Sequence, residues 1–207
     1  MKKALFILTM MMLFLISCGS KSTDGEGAGA AAAENTAKDE SLKVGVVYST
    51  GGLGDNSYND ATKRGLEKAK AELGITYDEY EPKDPNTEAE NKLREYAESG
   101  DYALIVATGF TMKDALVNVA TEFPEQKFVI IDETIEGMPN VASLTFKEHE
   151  GSFLAGALAA MMTKSNVVGY VGGAEAPVIQ KFEIGFEQGA KYVKPDIKFL
   201  PVYIGGT

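Results

Sequence analysis

The sequence predicts an α/β protein built on doubly wound parallel sheets, with helices on both sheet faces. Three observations predict this fold class. Short apolar, β-branched segments alternate with longer segments of helical periodicity from residue 42 onward. The connections between them are short, and Gly or Pro stands where several helices end. A strand–helix–strand alternation with short connections favours parallel pairing, because each helix carries the chain back to the edge where the previous strand began.

The first half of the first sheet follows from apolar content and spacing. Residues 42–49 are apolar and rich in valine, as in a strand that is buried on both faces. Apolar residues at helical spacing predict a helix over 58–73, which Gly74 ends. A weaker strand is predicted over 75–80. A polar helix with a narrow apolar face is predicted over 86–99.

The second half of this sheet continues the same pattern. A third strand is predicted over 102–107, and a third helix over 112–123, where Pro124 closes it. Two more apolar segments, 128–132 and 141–146, are each short enough to be strands. Five strands then complete one sheet.

The remaining elements are predicted to form a second lobe. A helix rich in Gly and Ala is predicted over 150–163, a strand over 167–171, a helix over 178–193 and a last strand over 199–204. We therefore assign the N-terminal α/β lobe to residues 42–147 and a partial second α/β lobe to residues 148–207.

The N-terminus has the pattern of a lipoprotein signal. Lys2 and Lys3 precede an apolar stretch that is too short to span a bilayer comfortably, and Leu-Ile-Ser-Cys follows at 15–18. This tetrapeptide resembles the lipobox, in which cleavage precedes the cysteine and the thiol carries a diacylglycerol. The signal peptide is therefore predicted to cover 1–17, and Cys18 is predicted to anchor the chain on the extracytoplasmic side of the cell membrane. A cysteine that lies near a cleavage site by chance is the alternative.

Residues 18–41 are predicted to be a flexible tether that begins at the lipidated cysteine. They consist mainly of Gly, Ala, Ser, Thr and charged residues and show no apolar periodicity.

The formal net charge of the chain is −10 at pH 7. Such a surface repels nucleic acid and anionic lipid, so no nucleic-acid partner is expected and the ligand should be neutral or cationic overall.

Polar residues cluster after the first strand, and in sheets of this kind ligands bind beyond the carboxyl ends of the strands. Asp55, Asn56 and Asn59 offer hydrogen-bond acceptors and amide donors, and Tyr58 offers a flat ring. The neighbouring glycines do not form a phosphate loop, since no Lys-Ser or Lys-Thr follows them. Ligand contact is the predicted role. The alternative is that Asn56 or Ser57 caps the helix while the tyrosine packs in the core.

Three later residues are also candidates for ligand binding. Gly109, after the third strand, allows a close backbone approach to a ligand, or marks an ordinary turn. Asp132, at the end of the fourth strand, is placed to accept N–H or O–H groups, or is a solvated acid. Phe182 shares a helical face with Phe186, so core packing is its alternative. The single histidine has no partners for a metal cluster or a catalytic triad, so no enzyme activity, metal or cofactor is predicted.

Four motifs, in order along the chain, together resemble a known family. They are Gly-Asp-x-Ser-Tyr-Asn-Asp at 54–60, Phe-x-x-Ile-Asp at 128–132, Phe-x-x-x-Glu-Gly-Ser-Phe-Leu-Ala-Gly at 146–156 and Val-Gly-Gly-x-x-x-Pro-x-Ile-x-x-Phe-x-x-Gly-Phe-x-x-Gly at 171–189. The chain resembles the BMP (basic membrane protein) family, the substrate-binding lipoproteins of ABC transporters that are similar to purine nucleoside receptors.

The resemblance implies a type I periplasmic-binding-protein-like fold, in which two α/β lobes close on a nucleoside that is handed to an ABC permease. It implies that Asp55 and Tyr58 hold the ligand, that Asp132 binds the purine and that Phe182 closes on the base from the second lobe. Family members continue for well over a hundred residues further, and their ribose-binding acid and lysine lie there. The chain is therefore expected to be C-terminally truncated, with an incomplete second lobe and weak binding or none.

Other functions remain open from the sequence. The same fold could bind a sugar or another small polar ligand, since aromatic rings with an acid also suit sugars. A surface lipoprotein with no transport role is a further alternative, and a nucleoside hydrolase would need a metal or base site for which the sequence offers no candidate.

Overall fold

The computed structural model describes residues 42–205 and contains two parallel sheets. In the first, five strands lie in the order β2-β1-β3-β4-β5, and every neighbouring pair is parallel. In the second, β6 pairs with β7 in parallel. The strands are β1 (Lys43–Val47), β2 (Thr76–Tyr80), β3 (Leu104–Thr108), β4 (Phe128–Ile131), β5 (Val141–Leu144), β6 (Val167–Gly172) and β7 (Lys198–Tyr203).

Five α-helices accompany these strands among the described residues. They are α1 (Tyr58–Leu73), α2 (Pro85–Ser99), α3 (Lys113–Glu122), α4 (Glu148–Met162) and α5 (Pro177–Val193). The predicted fold class and the order of strands and helices are confirmed. Several boundaries differ from the predicted ones by one or two residues. The third helix, for example, begins one residue later than predicted, because residues 110–112 form a separate 3₁₀ turn.

Side-chain alternation along the central strands builds two cores, one on each face of the first sheet. Val44, Val46 and Tyr48 of the first strand region pack with Leu66 of α1 on one face. Val47 points to the opposite face, into a cluster with side chains from α2 and α3. Because successive side chains of a strand point to opposite faces, a continuously apolar strand requires helices on both sides, as found.

The second sheet is covered by α4 and α5, whose backbones touch through glycines. A Cβ atom on Gly156 would lie 1.9 Å from the Phe186 carbonyl oxygen, and one on Gly189 would lie 1.9 Å from the Phe153 carbonyl oxygen. Only glycine permits such an approach at these two positions. Below the helix pair, Ala160 and Ala190 complete a small core with side chains of β6 and of the segment before β7.

Several sequence predictions lie outside the described residues. They are the signal peptide at 1–17, the lipid attachment at Cys18 and the tether at 18–41. Within residues 42–205, no helix is both long enough and apolar enough to cross a membrane.

Candidate ligand-binding cleft

A concave site lies beyond the carboxyl ends of the first-sheet strands, between α1 and the helix pair α4–α5. It is a cleft of about 780 Å³. Its walls come from the start of α1, from the ends of β4 and β5, and from one face each of α4 and α5. The lining residues are Tyr58, Ala61, Thr62, Ile131, Asp132, Phe146, Lys147, Glu148, Gly151, Ser152, Ala155 and Phe182.

The loop before α1 is organised by Asp55, whose carboxylate receives the backbone N–H groups that begin the helix. Oδ1 accepts from Ser57 at 2.9 Å and from Asp60 at 3.1 Å, and Oδ2 accepts from Asn59 at 2.8 Å. Desolvation raises the pKa of this carboxyl, but the backbone hydrogen bonds together outweigh it and hold the pKa below its ordinary value. Sequence reasoning expected Asn56 or Ser57 as the alternative cap, whereas the capping side chain is Asp55 itself.

Asn59 ties this helix start to the end of β1. Its side chain is buried, and its Oδ1 accepts the backbone N–H of Ser49 at 3.0 Å. Its Nδ2 donates to the Asp55 carboxylate at 3.3 Å and to the Thr50 carbonyl at 3.5 Å. Asn56 has a positive φ of 51°, and its backbone N–H donates to the Asp60 carboxylate at 2.8 Å. These polar groups therefore set the position of the residue between them, Tyr58.

Tyr58 forms the first-sheet wall of the cleft. Its hydroxyl donates to the Ile131 carbonyl at 3.3 Å and also lies beside Asp132. Burial raises the pKa of this phenol well above its ordinary value, and the charge of Asp132 raises it further. Gly109 lies below the ring with a φ of 100°, and a Cβ there would come within 2.6 Å of the Ser49 Oγ. The positive φ and the close contact with Ser49 therefore require glycine at this position, beside the Tyr58 ring.

Asp132 follows β4 with a φ of 64°, a left-handed conformation that Asp adopts more readily than most residues. Its backbone N–H donates to the Leu144 carbonyl at 2.8 Å, which fixes the turn. Burial, and then the nearby charge of Glu148, raise the pKa of Asp132, while Tyr58 and Lys181 act in the opposite direction. The carboxyl group of Asp132 is therefore partly desolvated and faces the cleft.

Phe182 lines the cleft from α5 and is 39 % exposed. The Ser152 hydroxyl of α4 donates to its backbone carbonyl, which fixes the two helices together at the cleft. Phe186, one turn further, packs instead against Tyr170 and Phe199, with ring centroids 6.3 Å apart in both pairs. Of the two rings that share the predicted helical face, only the first lines the cleft.

Glu148 and Lys181 also belong to the site, and sequence reasoning missed both. The Glu148 side chain is 5 % exposed, and its Oε1 accepts the Phe146 N–H at 3.3 Å. Its Oε2 accepts no hydrogen bond within residues 42–205, and Lys181 Nζ lies 3.5 Å from it as an ion-pair partner. Helical spacing could have found Glu148, since Ser152 and Ala155 follow at four and seven residues on the same face of α4.

The structure thus brings three of the predicted ligand-binding residues together at the cleft: Tyr58, Asp132 and Phe182. The other four, namely Asp55, Asn56, Asn59 and Gly109, are not among the residues that line the cleft. No group of three or more His, Cys, Asp or Glu residues within 42–205 is arranged to hold a metal ion.

A family model described as "ABC transporter substrate-binding protein PnrA-like", Bmp, matches residues 42–207. The chain belongs to the Bmp family. The resemblance predicted from the four motifs is therefore confirmed.

Relatives support this membership of the Bmp family. A CD4+ T-cell-stimulating antigen from Listeria innocua is 37 % identical over 204 residues, which is 95 % of this chain and 56 % of that protein. An ABC transporter nucleoside-binding protein, BmpA, from Lactococcus lactis is 36 % identical over 170 residues, which is 79 % of this chain and 47 % of that protein. The chain thus spans about half the length of the relatives that it matches.

A solved structure shows the same fold for this Bmp family chain. The ABC transporter solute-binding protein from Aeropyrum pernix K1 superposes with a TM-score of 0.71 at 32 % identity, covering 78 % of this chain and 47 % of that one. The type I binding-protein architecture expected from the resemblance is therefore present in the described residues.

Proposed function

We propose that this chain captures a purine nucleoside for uptake through an ABC permease. The observation that carries the proposal is the meeting of Tyr58, Asp132 and Phe182 at one cleft. A volume of about 780 Å³ suits a ligand of nucleoside size, since small-molecule sites span roughly 300–1,000 Å³.

Each wall has a role in this proposal. Tyr58 and Phe182 come from opposite sides of the cleft and offer ring faces to the base, where stacking on an aromatic side chain contributes roughly 1–3 kcal/mol per base. Asp132 accepts an N–H or O–H group of the ligand. The Tyr58 hydroxyl is already hydrogen-bonded to the protein, so the ring face is the part that is free to contact the ligand.

The name of the Lactococcus relative supports a nucleoside, while the fold alone is equally compatible with a sugar. Calorimetric titration of the chain, together with any C-terminal continuation that its gene encodes, separates adenosine, guanosine, inosine, cytidine and ribose as ligands. Micromolar or tighter binding of purine nucleosides, lost in Tyr58→Ala and Asp132→Ala, is the expected result. Tyr192→Ala is the matched control, because that ring is 79 % exposed and is not part of the cleft lining.

Two other outcomes would contradict the nucleoside proposal. Ribose binding without any nucleoside binding would favour a sugar receptor. Failure of every ligand to bind a folded chain would remove the transport function and favour a surface lipoprotein.

The proposal includes attachment to the membrane through Cys18, on the extracytoplasmic side. The residues that support it are the lipobox-like 15–18 and the positive charges before the apolar stretch. Mass spectrometry of the chain from a bacterial host should find a diacylglyceryl cysteine at Cys18, with the first 17 residues removed. Cys18→Ser should release the protein from the membrane fraction. An intact N-terminus on wild-type protein would contradict the anchor.

A further inference from the structure

Glu148 is a deeply buried carboxylate at the cleft, and one of its oxygens accepts no hydrogen bond from the described residues. Its side chain is 95 % buried, since only 5 % is exposed, and it stands at the first residue of α4. Oε1 accepts the Phe146 N–H, while Oε2 is buried without a hydrogen bond from the described residues. A buried carboxylate oxygen without a donor is costly, so a group that donates to it from the cleft is strongly favoured.

The surroundings define what can donate there. Lys181 Nζ lies 3.5 Å from Oε2, but the lysine side chain is 45 % exposed and remains largely hydrated. Lys147, which lines the cleft, is 75 % exposed and pairs with Glu150 at 2.9 Å. Glu148 and Asp132 therefore give the cleft two carboxylates against one nearby ammonium group. This balance attracts N–H and O–H donors and repels anions.

We propose that Glu148 is a specificity-determining residue that accepts an N–H or O–H of the ligand at Oε2, and that it selects uncharged nucleosides over their phosphorylated forms. This inference rests on the proposed function and adds to it a residue and a ligand class. Glu148 discriminates by the charge of the ligand. A phosphate group would be repelled by Glu148 and Asp132 in a partly desolvated site, where repulsion is less screened than in water.

Glu148→Gln exchanges an acceptor for a donor with little change in shape. The Phe146 N–H holds the amide oxygen at the Oε1 position, so the amide nitrogen stands where Oε2 stood. It would then face the donor of the ligand. Loss of a charge-assisted hydrogen bond corresponds to at least about tenfold weaker binding. Glu150→Gln is the matched control, since that residue lies on the same helix, is 59 % exposed and does not line the cleft.

The experiment is calorimetric titration of the chain, with any C-terminal continuation that its gene encodes and held in lipid nanodiscs, with adenosine and with adenosine 5′-monophosphate. Wild-type protein should bind adenosine at least about tenfold more tightly than the monophosphate. Glu148→Gln should bind adenosine at least about tenfold more weakly than wild type. Its affinities for adenosine and for the monophosphate should differ by a smaller factor than those of wild type. Glu150→Gln should stay within about twofold of wild type for both ligands.

Ligand analogues that each lack one donor identify the group that Glu148 accepts. Purine riboside, 2′-deoxyadenosine, 3′-deoxyadenosine and 5′-deoxyadenosine lack the exocyclic amine or one hydroxyl in turn. One analogue lacks the donor group that Glu148 accepts. That analogue should bind wild type and Glu148→Gln with the same affinity. A uniform loss over all four analogues would overturn the inference, because it would show that the residue acts on folding and not on the ligand.

The melting temperature without ligand provides an independent readout. Glu148→Gln removes a buried charge whose ion-pair partner, Lys181, is 45 % exposed to solvent. Its melting temperature should therefore equal that of wild type or exceed it, whereas a purely structural carboxylate would lower the melting temperature when changed. Adenosine binding that is equal in wild type and Glu148→Gln would overturn this inference and leave the proposed function intact. Wild-type protein that binds no nucleoside would overturn the proposed function, and this inference with it.

Discussion

Gly156→Ala should destabilise the contact between α4 and α5, because the added methyl group has no space. Its Cβ would lie 1.9 Å from the Phe186 carbonyl oxygen and 2.7 Å from the carbonyl carbon, and real Cβ atoms essentially never come closer than 3.0 Å to another heavy atom. The blocking atoms are backbone atoms, which cannot rotate away as a side chain could. The two helices must therefore separate by about 1 Å, and a gap of that size forfeits a quarter to a half of the dispersion energy across it.

The expected size of the effect follows from two opposing contributions. Overpacking of a close contact costs about 1–3 kcal/mol, and rigid neighbouring atoms place this position at the upper end of that range. Alanine is favoured over glycine inside a helix by about 1 kcal/mol. We therefore expect Gly156→Ala to lower the free energy of unfolding by about 2 kcal/mol.

Gly151→Ala is a control with the opposite expected sign. Gly151 lies on the same helix, and a Cβ atom there would meet no heavy atom within 4 Å. Only the helix preference remains, so the free energy of unfolding should rise by up to about 1 kcal/mol. Urea unfolding followed by far-ultraviolet circular dichroism measures both variants. If Gly156→Ala were as stable as Gly151→Ala, the inference of a backbone contact between the helices would be wrong.

Three further predictions concern the cleft and the loop before α1. Tyr58→Phe should change nucleoside affinity less than about threefold, since the ring face remains, whereas Tyr58→Ala should cost more than about tenfold in a calorimetric titration. Asp132 has a raised pKa, so its contribution to stability is fully present below its ordinary pKa of 3.8 and is lost as pH rises through the raised value. Asp132→Asn should therefore melt at a higher temperature than wild type at pH 7, and the difference should shrink toward pH 4; a constant difference over this range would contradict the raised pKa. Asp55→Ala should lower the melting temperature in the absence of ligand, because three backbone N–H groups at the start of α1 lose their acceptor. An unchanged melting temperature would show that water replaces the carboxylate without cost.

The fold could be predicted from the sequence because the signals are local and repeated. Residues 44–47 form a buried run without a polar side chain, and Gly74 ends α1 in the left-handed conformation that favours glycine. The strand over 141–146 was predicted two residues too long, since β5 ends at Leu144. The last two residues, Thr145 and Phe146, have no neighbouring strand to pair with, and the apolar pattern by itself does not show where pairing stops.

The candidate site could be predicted only in part. Tyr58 and Asp132 follow β1 and β4, which are close in the sheet. Because ligands of such sheets bind beyond the carboxyl ends of the strands, the sequence was enough to predict that the two residues share a site. Glu148 belongs to a run of charged residues, Lys147 to Glu150, and such a run is typical of the solvated start of a helix. Which of these acids turns inward depends on how α4 packs against α5. That packing depends on glycine contacts over distances of about thirty residues along the chain, which a local pattern does not contain.

The use of Asp55 as a helix cap has a consequence for how function is transferred between related sequences. Within the motif at 54–60, the carboxylate of Asp55 and the amide of Asn59 are hydrogen-bonded to the protein's own backbone, and only Tyr58 lines the cleft. A sequence that shares the acid and the amide therefore shares the way in which its first helix begins, whatever it binds. A comparison that aims to assign a ligand should weigh Tyr58, Asp132 and Glu148 instead, since a change at these three positions can alter recognition while the motif stays recognisable.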